Sequence, residues 1–185
     1  MKAIRAAILI SILMVAQESV YSAQTSSSEG QVKAAFLYNF AQFIQWPNPA
    51  FADRDTLFTM CVMGDPFEGI LEKAIEKETL NGRRIAVRRI SSPDNLPGCH
   101  LIYIGRLESR RSAELIEAAD HIFAAEGLAI LTVGDSEDFI NRGGMIRFID
   151  AGDRVRFEIN PEAAERVSLR VSSRLLQLAD IVRPR

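Results

Sequence analysis

Three short apolar runs alternate with segments of helical periodicity, and this rhythm constrains the fold more than any other feature. The runs are Leu57–Met63, Cys99–Ile104 and Leu128–Val133, and helical spacing appears at Phe67–Lys77 and Glu108–Phe123. Strands that are buried on both faces read as continuous apolar runs, and helical crossovers connect parallel strands. We therefore predict an α/β fold, a single-domain sandwich with a mostly parallel central sheet flanked by helices and a C-terminal β-hairpin.

The remaining segments fit around this sheet. Alternating runs at Met145–Ile149 and Val155–Ile159 flank a short glycine-containing turn and predict the hairpin. Arg84–Ile90 alternates as a more exposed strand would. Three further segments predict helices: one before Pro47 with several aromatic residues, one that starts at Asn160-Pro161, and an amphipathic one from Ser172 with Leu175, Leu178, Ala179 and Val182 on one face.

The first residues have the layout of a secretory signal peptide. Lys2 and Arg5 precede an apolar run, Ala6–Ala16, that is too short to span a bilayer, and Val20-Tyr21-Ser22 suits a cleavage site. We predict a signal peptide over residues 1–22, a flexible segment over 23–30 and the folded domain over 31–183. An uncut N-terminal anchor is the alternative. Cleavage would remove two basic residues and one acidic residue, changing the net charge from −2 to −3. A nearly neutral chain gives no reason to expect nucleic-acid binding.

Catalytic and metal-binding patterns are not found in the sequence. His100 follows Cys99 directly, and adjacent residues of a strand point to opposite faces, so the two do not form a nucleophile–base pair easily. The two histidines and two cysteines lack the spacing of a metal site. We predict a protein that is not an enzyme and needs no cofactor. In an exported protein Cys61 and Cys99 are a candidate disulfide, whereas in a cytosolic one they would be two buried thiols.

The ends of the apolar runs offer a candidate ligand pocket. Each run ends in glycine followed by a charged residue: Asp65, Arg106 and Asp135. In open α/β sheets, ligands bind at the carboxyl ends of the strands. Glycine–aspartate pairs are also ordinary turn residues, so this pattern alone is weak. Tyr38, Asn39 and Trp46 complete the candidate pocket, because they lie off the main apolar stripe of their helix or at its end.

Several segments, in order, resemble the YfiR family of exported bacterial proteins. They are VKAAFLYNFAQFIQWP, FTMCVMGDPF, LNGRRIAVRRI, GCHLIYIG, LTVGDSEDFINRGGMIRF, VRFEINPEAA and LRVSSRLLQLA. The resemblance implies a periplasmic α/β repressor of a membrane-bound diguanylate cyclase, which lowers cyclic-di-GMP and restrains biofilm formation. It also implies that an outer-membrane lipoprotein can sequester the repressor and that oxidation can affect its fold. Cys61 and Cys99 match the commoner cysteine pair of the family. Ile140 and Arg147 stand where some members carry a second pair.

Two functions follow as expectations. The first is an interaction protein whose contact surface lies on the hairpin and C-terminal helix, with Ile146, Phe148, Glu158 and Ala164 as candidate contacts with the periplasmic part of the cyclase. A cross-strand pair with Arg147 is the alternative role for Glu158. The second function is a periplasmic small-molecule sensor that acts on another membrane signalling protein. The oligomeric state is left open, a homodimer included.

Overall fold

The computed structural model describes residues 29–47, 50–53, 55–64, 66–151 and 154–183. The predicted signal peptide and residues 23–28 of the predicted flexible segment lie outside these residues. Five helices are present in the described residues: α1 (29–43), α2 (Ile70–Ile75), α3 (Ser112–Glu126), α4 (Pro161–Arg166) and α5 (Ser173–Leu176). The strands are β1 (Ile44–Gln45), β2 (Phe58–Met63), β3 (Thr79–Leu80), β4 (Arg83–Ile90), β5 (Leu101–Ile104), β6 (Leu131–Gly134), β7 (Ile146–Asp150), β8 (Val155–Ile159), β9 (Arg170–Val171) and β10 (Asp180–Ile181).

Eight strands form one mostly parallel sheet in the order β10-β8-β7-β6-β5-β2-β4-β3. Five neighbouring strands, from β4 to β7, run in the same direction. β7 and β8 form the antiparallel hairpin, and β10 lies beside β8 and parallel to it. β1 and β9 pair separately as a two-stranded ribbon. The predicted fold class is confirmed.

Both faces of the central strands are buried, which explains their continuous apolar runs. Along β2, Met60 and Val62 belong to one core with α1 and α2, whereas Cys61 and Met63 belong to a second core with α3. The alternation follows from the two-residue period of a strand. The disulfide between Cys61 and Cys99 lies in the second core and joins β2 to the residue two positions before β5. This pairing is confirmed.

Local capping sets the position of α4. The side chain of Asn160 accepts a hydrogen bond from the backbone N–H of Ala163, and Pro161 occupies the first helical turn. The predicted helix start is therefore correct.

The N-terminal and C-terminal elements differ from the predictions. Glu29 and Gly30, expected in the flexible segment, are already helical, and Glu29 forms an ion pair with Lys33 one turn later. The predicted C-terminal amphipathic helix is only α5, followed by β10. Because β10 pairs with β8 instead of continuing the helix, Leu178 is exposed and only Leu175 of the predicted apolar face is buried.

Candidate functional site

The sheet contains a topological switch point between β2 and β5. From β2 the chain crosses through α2 to β4 on one side, and from β5 it crosses through α3 to β6 on the other side. The two crossovers diverge and leave a crevice at the carboxyl ends of β2 and β5, where open α/β sheets usually bind ligands. A cavity of ≈ 290 Å³ lies here, and we call it the switch-point cavity. Its lining comprises Glu29, Gly30, Lys33, Met63, Gly64, Pro66, Phe67, Tyr103, Gly105, Arg106, Leu107, Glu108 and Asp135.

Glycines shape the strand ends around the cavity. Gly64, after β2, has a φ of +72°, a conformation that side-chain-bearing residues rarely adopt. At the end of β6, a Cβ on Gly134 would lie 2.5 Å from the ring of Phe139. Phe139 is fully buried, so the loop after β6 folds back onto its own strand. This packing fixes the backbone immediately before Asp135.

Charged and polar side chains form the deep part of the cavity, and all of them are buried except Glu29, whose side chain is 42% exposed. We call Glu29, Lys33, Tyr103 and Asp135 the acid–lysine cluster. The Lys33 ammonium lies 2.8 Å from Asp135 Oδ2 and 2.6 Å from Glu29 Oε1. The Tyr103 hydroxyl donates to the same Asp135 oxygen at 2.7 Å. Asp135 Oδ1 is also buried, yet it has no hydrogen-bond partner among the described residues. An unpartnered buried oxygen of this kind favours a donor from outside the fold.

The protonation states of the cluster follow from its surroundings. Burial disfavours the charged form of Lys33, but the hydrogen bonds and charges of Asp135 and Glu29 outweigh it and raise the pKa of Lys33. Burial, followed by the charge of Asp135, raises the pKa of Tyr103 well above its usual range. Lys33 is therefore a cation and Tyr103 a neutral hydroxyl at physiological pH.

The rim of the cavity is exposed and comes from the 3₁₀ turn Arg106–Arg111. The Arg106 side chain is 65% exposed. Its Nη2 lies 3.9 Å from Asp150 Oδ2, so the two form a long ion pair at the surface. Leu107 is 97% exposed. Between the rim and the cluster, Phe67 provides an apolar wall and contacts the ring of Tyr103, with centroids 4.8 Å apart. The described lining combines carboxylates with apolar walls, which suits the binding of a small molecule.

Comparison with known families matches residues 30–180 to the family described as YfiR/HmsC-like. This chain belongs to the YfiR/HmsC-like family. The family suggests a periplasmic regulator of a diguanylate cyclase and regulation rather than catalysis. In the residues that the structure describes, no helix is long and apolar enough to cross a membrane.

Two solved structures show low similarity to this YfiR/HmsC-like chain. A conserved domain protein from Vibrio cholerae O1 biovar eltor has 12% identity and a TM-score of 0.46, over 69% of this chain and 55% of that one. The ABC domain in complex with L-Trp from Streptococcus pneumonia has 10% identity and a TM-score of 0.43, over 68% and 55%. This chain thus spans about half the length of each.

The predicted pocket residues of this YfiR/HmsC-like chain do not all lie in one place. Arg106 and Asp135 both line the switch-point cavity. Asp65 lies outside the described residues. Asn39 is exposed on α1, and the half-buried Tyr38 donates a hydrogen bond to the carbonyl of Thr79, 3.2 Å away. Neither lines the cavity.

Trp46 lies at the opposite end of the strands. Its ring packs with Phe51, Phe58 and His100 at the amino ends of β2 and β5, and we call these four residues the amino-end cluster. The loop after α1 approaches the sheet at this end, so a single pocket containing both Trp46 and Asp135 is wrong.

Sequence reasoning missed the residues that complete the cavity. Lys33 is a lone lysine near the start of an aromatic helix, and Tyr103 is the one hydroxyl-bearing residue in the run CHLIYI. A polar group inside a buried segment needs a hydrogen-bonding partner, so a polar residue in an apolar run indicates that such a partner exists elsewhere in the chain. The partner, Asp135, is 102 residues away from Lys33 in sequence, so no local pattern connects them.

Three candidate partner contacts are part of the core. Ile146 and Ala164 are 0% exposed and Phe148 is 3% exposed, so these three side chains are not available on the predicted contact surface. Residues directly opposite in an antiparallel pair share a face, and Phe148 lies opposite the buried Phe157. Glu158 is different: its side chain is 20% exposed and forms an ion pair with Arg147 at 2.8 Å.

Proposed function

We propose that this chain is a periplasmic signalling regulator that binds the periplasmic part of an inner-membrane diguanylate cyclase and represses it. Repression would lower cyclic-di-GMP synthesis and biofilm formation, and the chain itself would catalyse no reaction. Membership of the YfiR/HmsC-like family over residues 30–180 carries this proposal. Sequestration by an outer-membrane lipoprotein and self-association into a homodimer belong to the same proposal as further levels of control. Export by a cleaved signal peptide over residues 1–22 is part of it as well.

The outward surface of the hairpin is our proposed contact with the cyclase. Arg147, Arg156, Glu158 and Asp180 form this hairpin face across β7, β8 and β10. Arg147 pairs with Glu158, and Arg156 pairs with Asp180 at 2.7 Å. Helix α3 packs against β6, and the core residues of the hairpin face α1 on the opposite side. A charged surface of this kind favours orientation and specificity in binding a partner with complementary charge.

A charge-swap experiment tests the hairpin face. The periplasmic part of a candidate cyclase would be titrated with the wild-type chain, with Glu158→Lys, and with the double variant Arg147→Glu/Glu158→Lys. The single variant breaks the ion pair, whereas the double variant restores it with reversed polarity. Loss of binding in both variants supports contact through Glu158. Recovery in the double variant assigns Glu158 a structural pair only and refutes this surface.

The cyclase assay tests the function itself. Adding the purified chain to membranes that contain the cyclase should lower the rate of cyclic-di-GMP formation. Membranes with a cyclase that lacks its periplasmic part serve as the control, and their activity should not change. Equal activity with and without the chain, in membranes of the intact cyclase, contradicts the proposal.

A small-molecule sensor is the second candidate function, and one observation favours it. Asp135 lines the switch-point cavity, and its buried oxygen Oδ1 has no donor among the described residues. A ligand that supplies this donor would be bound at a fixed position relative to α1 and the sheet. Such a sensor would report ligand concentration to its membrane partner.

A further inference from the structure

The charge distribution along the switch-point cavity is uneven. In the acid–lysine cluster, two carboxylates face a single ammonium, and Tyr103 is neutral. Glu108 adds a third carboxylate on the wall, where its side chain lies over Gly64. The nearest guanidinium of the lining, on Arg106, is at the exposed rim. The deep part of the cavity therefore carries more negative than positive charge, and the Arg106 guanidinium lies at the entrance.

We propose that the switch-point cavity binds a small protonated amine that carries an apolar body. This inference rests on the sensor function proposed above and names its ligand class. The ammonium lies beside the acid–lysine cluster, where it donates to Asp135 Oδ1, and Glu108 of the rim turn adds a further attractive carboxylate. The apolar body lies along Phe67 and Pro66, and Leu107 covers it from the rim.

The hydrogen bonds that Asp135 already makes favour an amine as the ligand. Asp135 Oδ2 already accepts from Lys33 and Tyr103, so the second oxygen is the one that still needs a donor. A carboxylate or phosphate ligand supplies acceptors only and would repel three carboxylates. An ammonium supplies three donors and a compensating charge. In the described residues no group of three or more His, Cys, Asp or Glu side chains is arranged to hold a metal ion, which disfavours a cation of that type.

The volume of the cavity and its apolar lining favour a ligand with a small apolar body. Ligand cavities for small molecules begin near 300 Å³, so ≈ 290 Å³ suits a compact molecule such as a monoamine or an amino acid. Phe67 and Tyr103 present aromatic rings next to the acidic part, and aromatic faces attract cations. The exposed Leu107 is apolar surface that a bound body would cover. Simple amines and amino acids both carry an ammonium group. Only an amino acid also carries a carboxylate, which Arg106 at the rim would attract.

Calorimetric titration of the full exported chain tests the proposal. The probes are 2-phenylethylamine, L-phenylalanine and 3-phenylpropionate, which carry an amine, both groups, and a carboxylate alone. We expect the first two to bind and the third not to bind. Stronger binding of L-phenylalanine that is lost in Arg106→Ala, with phenylethylamine unaffected, identifies amino acids as the source. Equal binding of both probes identifies simple amines.

Variants test the assignment to this cavity. Asp135→Asn and, separately, Glu108→Gln should weaken phenylethylamine binding by about tenfold or more, because each removes a charged acceptor. Glu126→Gln, at the exposed end of α3, is the matched control and should bind like the wild type. Asp135 also holds Lys33, so Asp135→Asn is tested only after circular dichroism shows a folded protein. Glu108 forms no ion pair with any described residue, so Glu108→Gln tests the proposal independently of folding.

Three results would overturn the amine site. They are no heat from either amine at millimolar concentration, 3-phenylpropionate binding as tightly as phenylethylamine, and Glu108→Gln binding equal to that of Glu126→Gln. The titrations contain no cyclase, and the cyclase assay contains no amine. Failure of the ligand class is therefore distinguishable from failure of cyclase repression.

Discussion

At the carboxyl ends of β2, β5 and β6, a lysine, a tyrosine and two carboxylates surround an open cavity. At the amino ends of β2 and β5, aromatic rings close over His100. The amino-end histidine is satisfied: its Nδ1 accepts from the backbone N–H of Thr59 at 3.1 Å, so its Nε2–H donates to the carbonyl of Ala50 at 3.0 Å. At the other end, Asp135 Oδ1 has no donor in the part of the chain that the structure describes. The polar group at the amino end is thus satisfied within the fold, whereas the carboxylate at the carboxyl end is not.

Removing the disulfide should have the largest effect, and it should act on stability without acting on the cavity. The bond closes a loop with a sequence separation of 38 residues and braces the chain just before β5. The loop-entropy relation gives about 4 kcal/mol for such a closure. We expect Cys61→Ala/Cys99→Ala to lower the free energy of unfolding by about this amount, measured by urea denaturation. Amine binding to the folded variant should match that of the wild type; its loss would show that the two ends are coupled.

Breaking the acid–lysine cluster should be the next largest effect. Lys33→Met leaves Asp135 buried with Tyr103 as its one donor among the described residues, and breaking a buried pair in this way costs about 3 kcal/mol. Arg156→Met is the matched control, because it breaks an exposed ion pair with Asp180 and should cost less than about 1 kcal/mol. Equal losses in the two variants, measured by urea denaturation, would contradict a buried charge cluster at this end.

The histidine of the amino-end cluster should make stability dependent on pH. Burial, followed by the charges of Arg83 and Arg88, lowers the pKa of His100, although its bond to Ala50 opposes this. The fold therefore favours the neutral ring. Stability should be full above the unfolded pKa of about 6.5 and should fall as pH drops from there through the folded pKa.

The measurement is the free energy of unfolding at several values between pH 7 and 5. We expect His100→Gln, which cannot titrate, to weaken the dependence on pH. His121→Gln removes the other, exposed histidine and provides the control. The same slope in wild type and His100→Gln would show that His100 does not carry the effect.

The smallest expected effect is on the fluorescence of Trp46, the only tryptophan. Because Trp46 packs in the amino-end cluster, a ligand in the switch-point cavity should leave its emission unchanged. The measurement is an emission spectrum at saturating phenylethylamine, and unfolding in urea is the positive control. A shift of the emission maximum on ligand addition would contradict the separation of the two ends.

The central fold could be predicted because a strand that is buried on both faces is a continuous apolar run, which is visible within a single segment of sequence. Leu128–Val133 and Cys99–Ile104 need no distant information to be recognised as parallel strands. The C-terminal residues behave differently: Leu178 matches a helical face in sequence, but pairing of β10 with β8 decides its structure. Such pairing is a tertiary effect that local periodicity does not contain.

The candidate site was predictable only where topology supplies a rule. Asp135 and Arg106 follow strands, and the carboxyl-end rule places both at the cavity. Lys33 belongs to helix α1, so a rule about the carboxyl ends of strands does not predict its position. Trp46 was misplaced because its loop connects to β2 at the amino end, and the sequence of the loop does not show this. Phe148 was misplaced because the hairpin register, Phe148 opposite Phe157, puts both rings in the core.

The central claim is that the carboxyl end binds a ligand and the amino end only supports the fold. Backbone amide chemical shifts during titration with 2-phenylethylamine test it most directly, since they report on both ends in one sample. We predict changes at Lys33, Gly64, Gly105 and Asp135, with Phe58 and His100 unchanged. Changes centred on Phe58 and His100, or no changes in either group at millimolar amine, would contradict the claim.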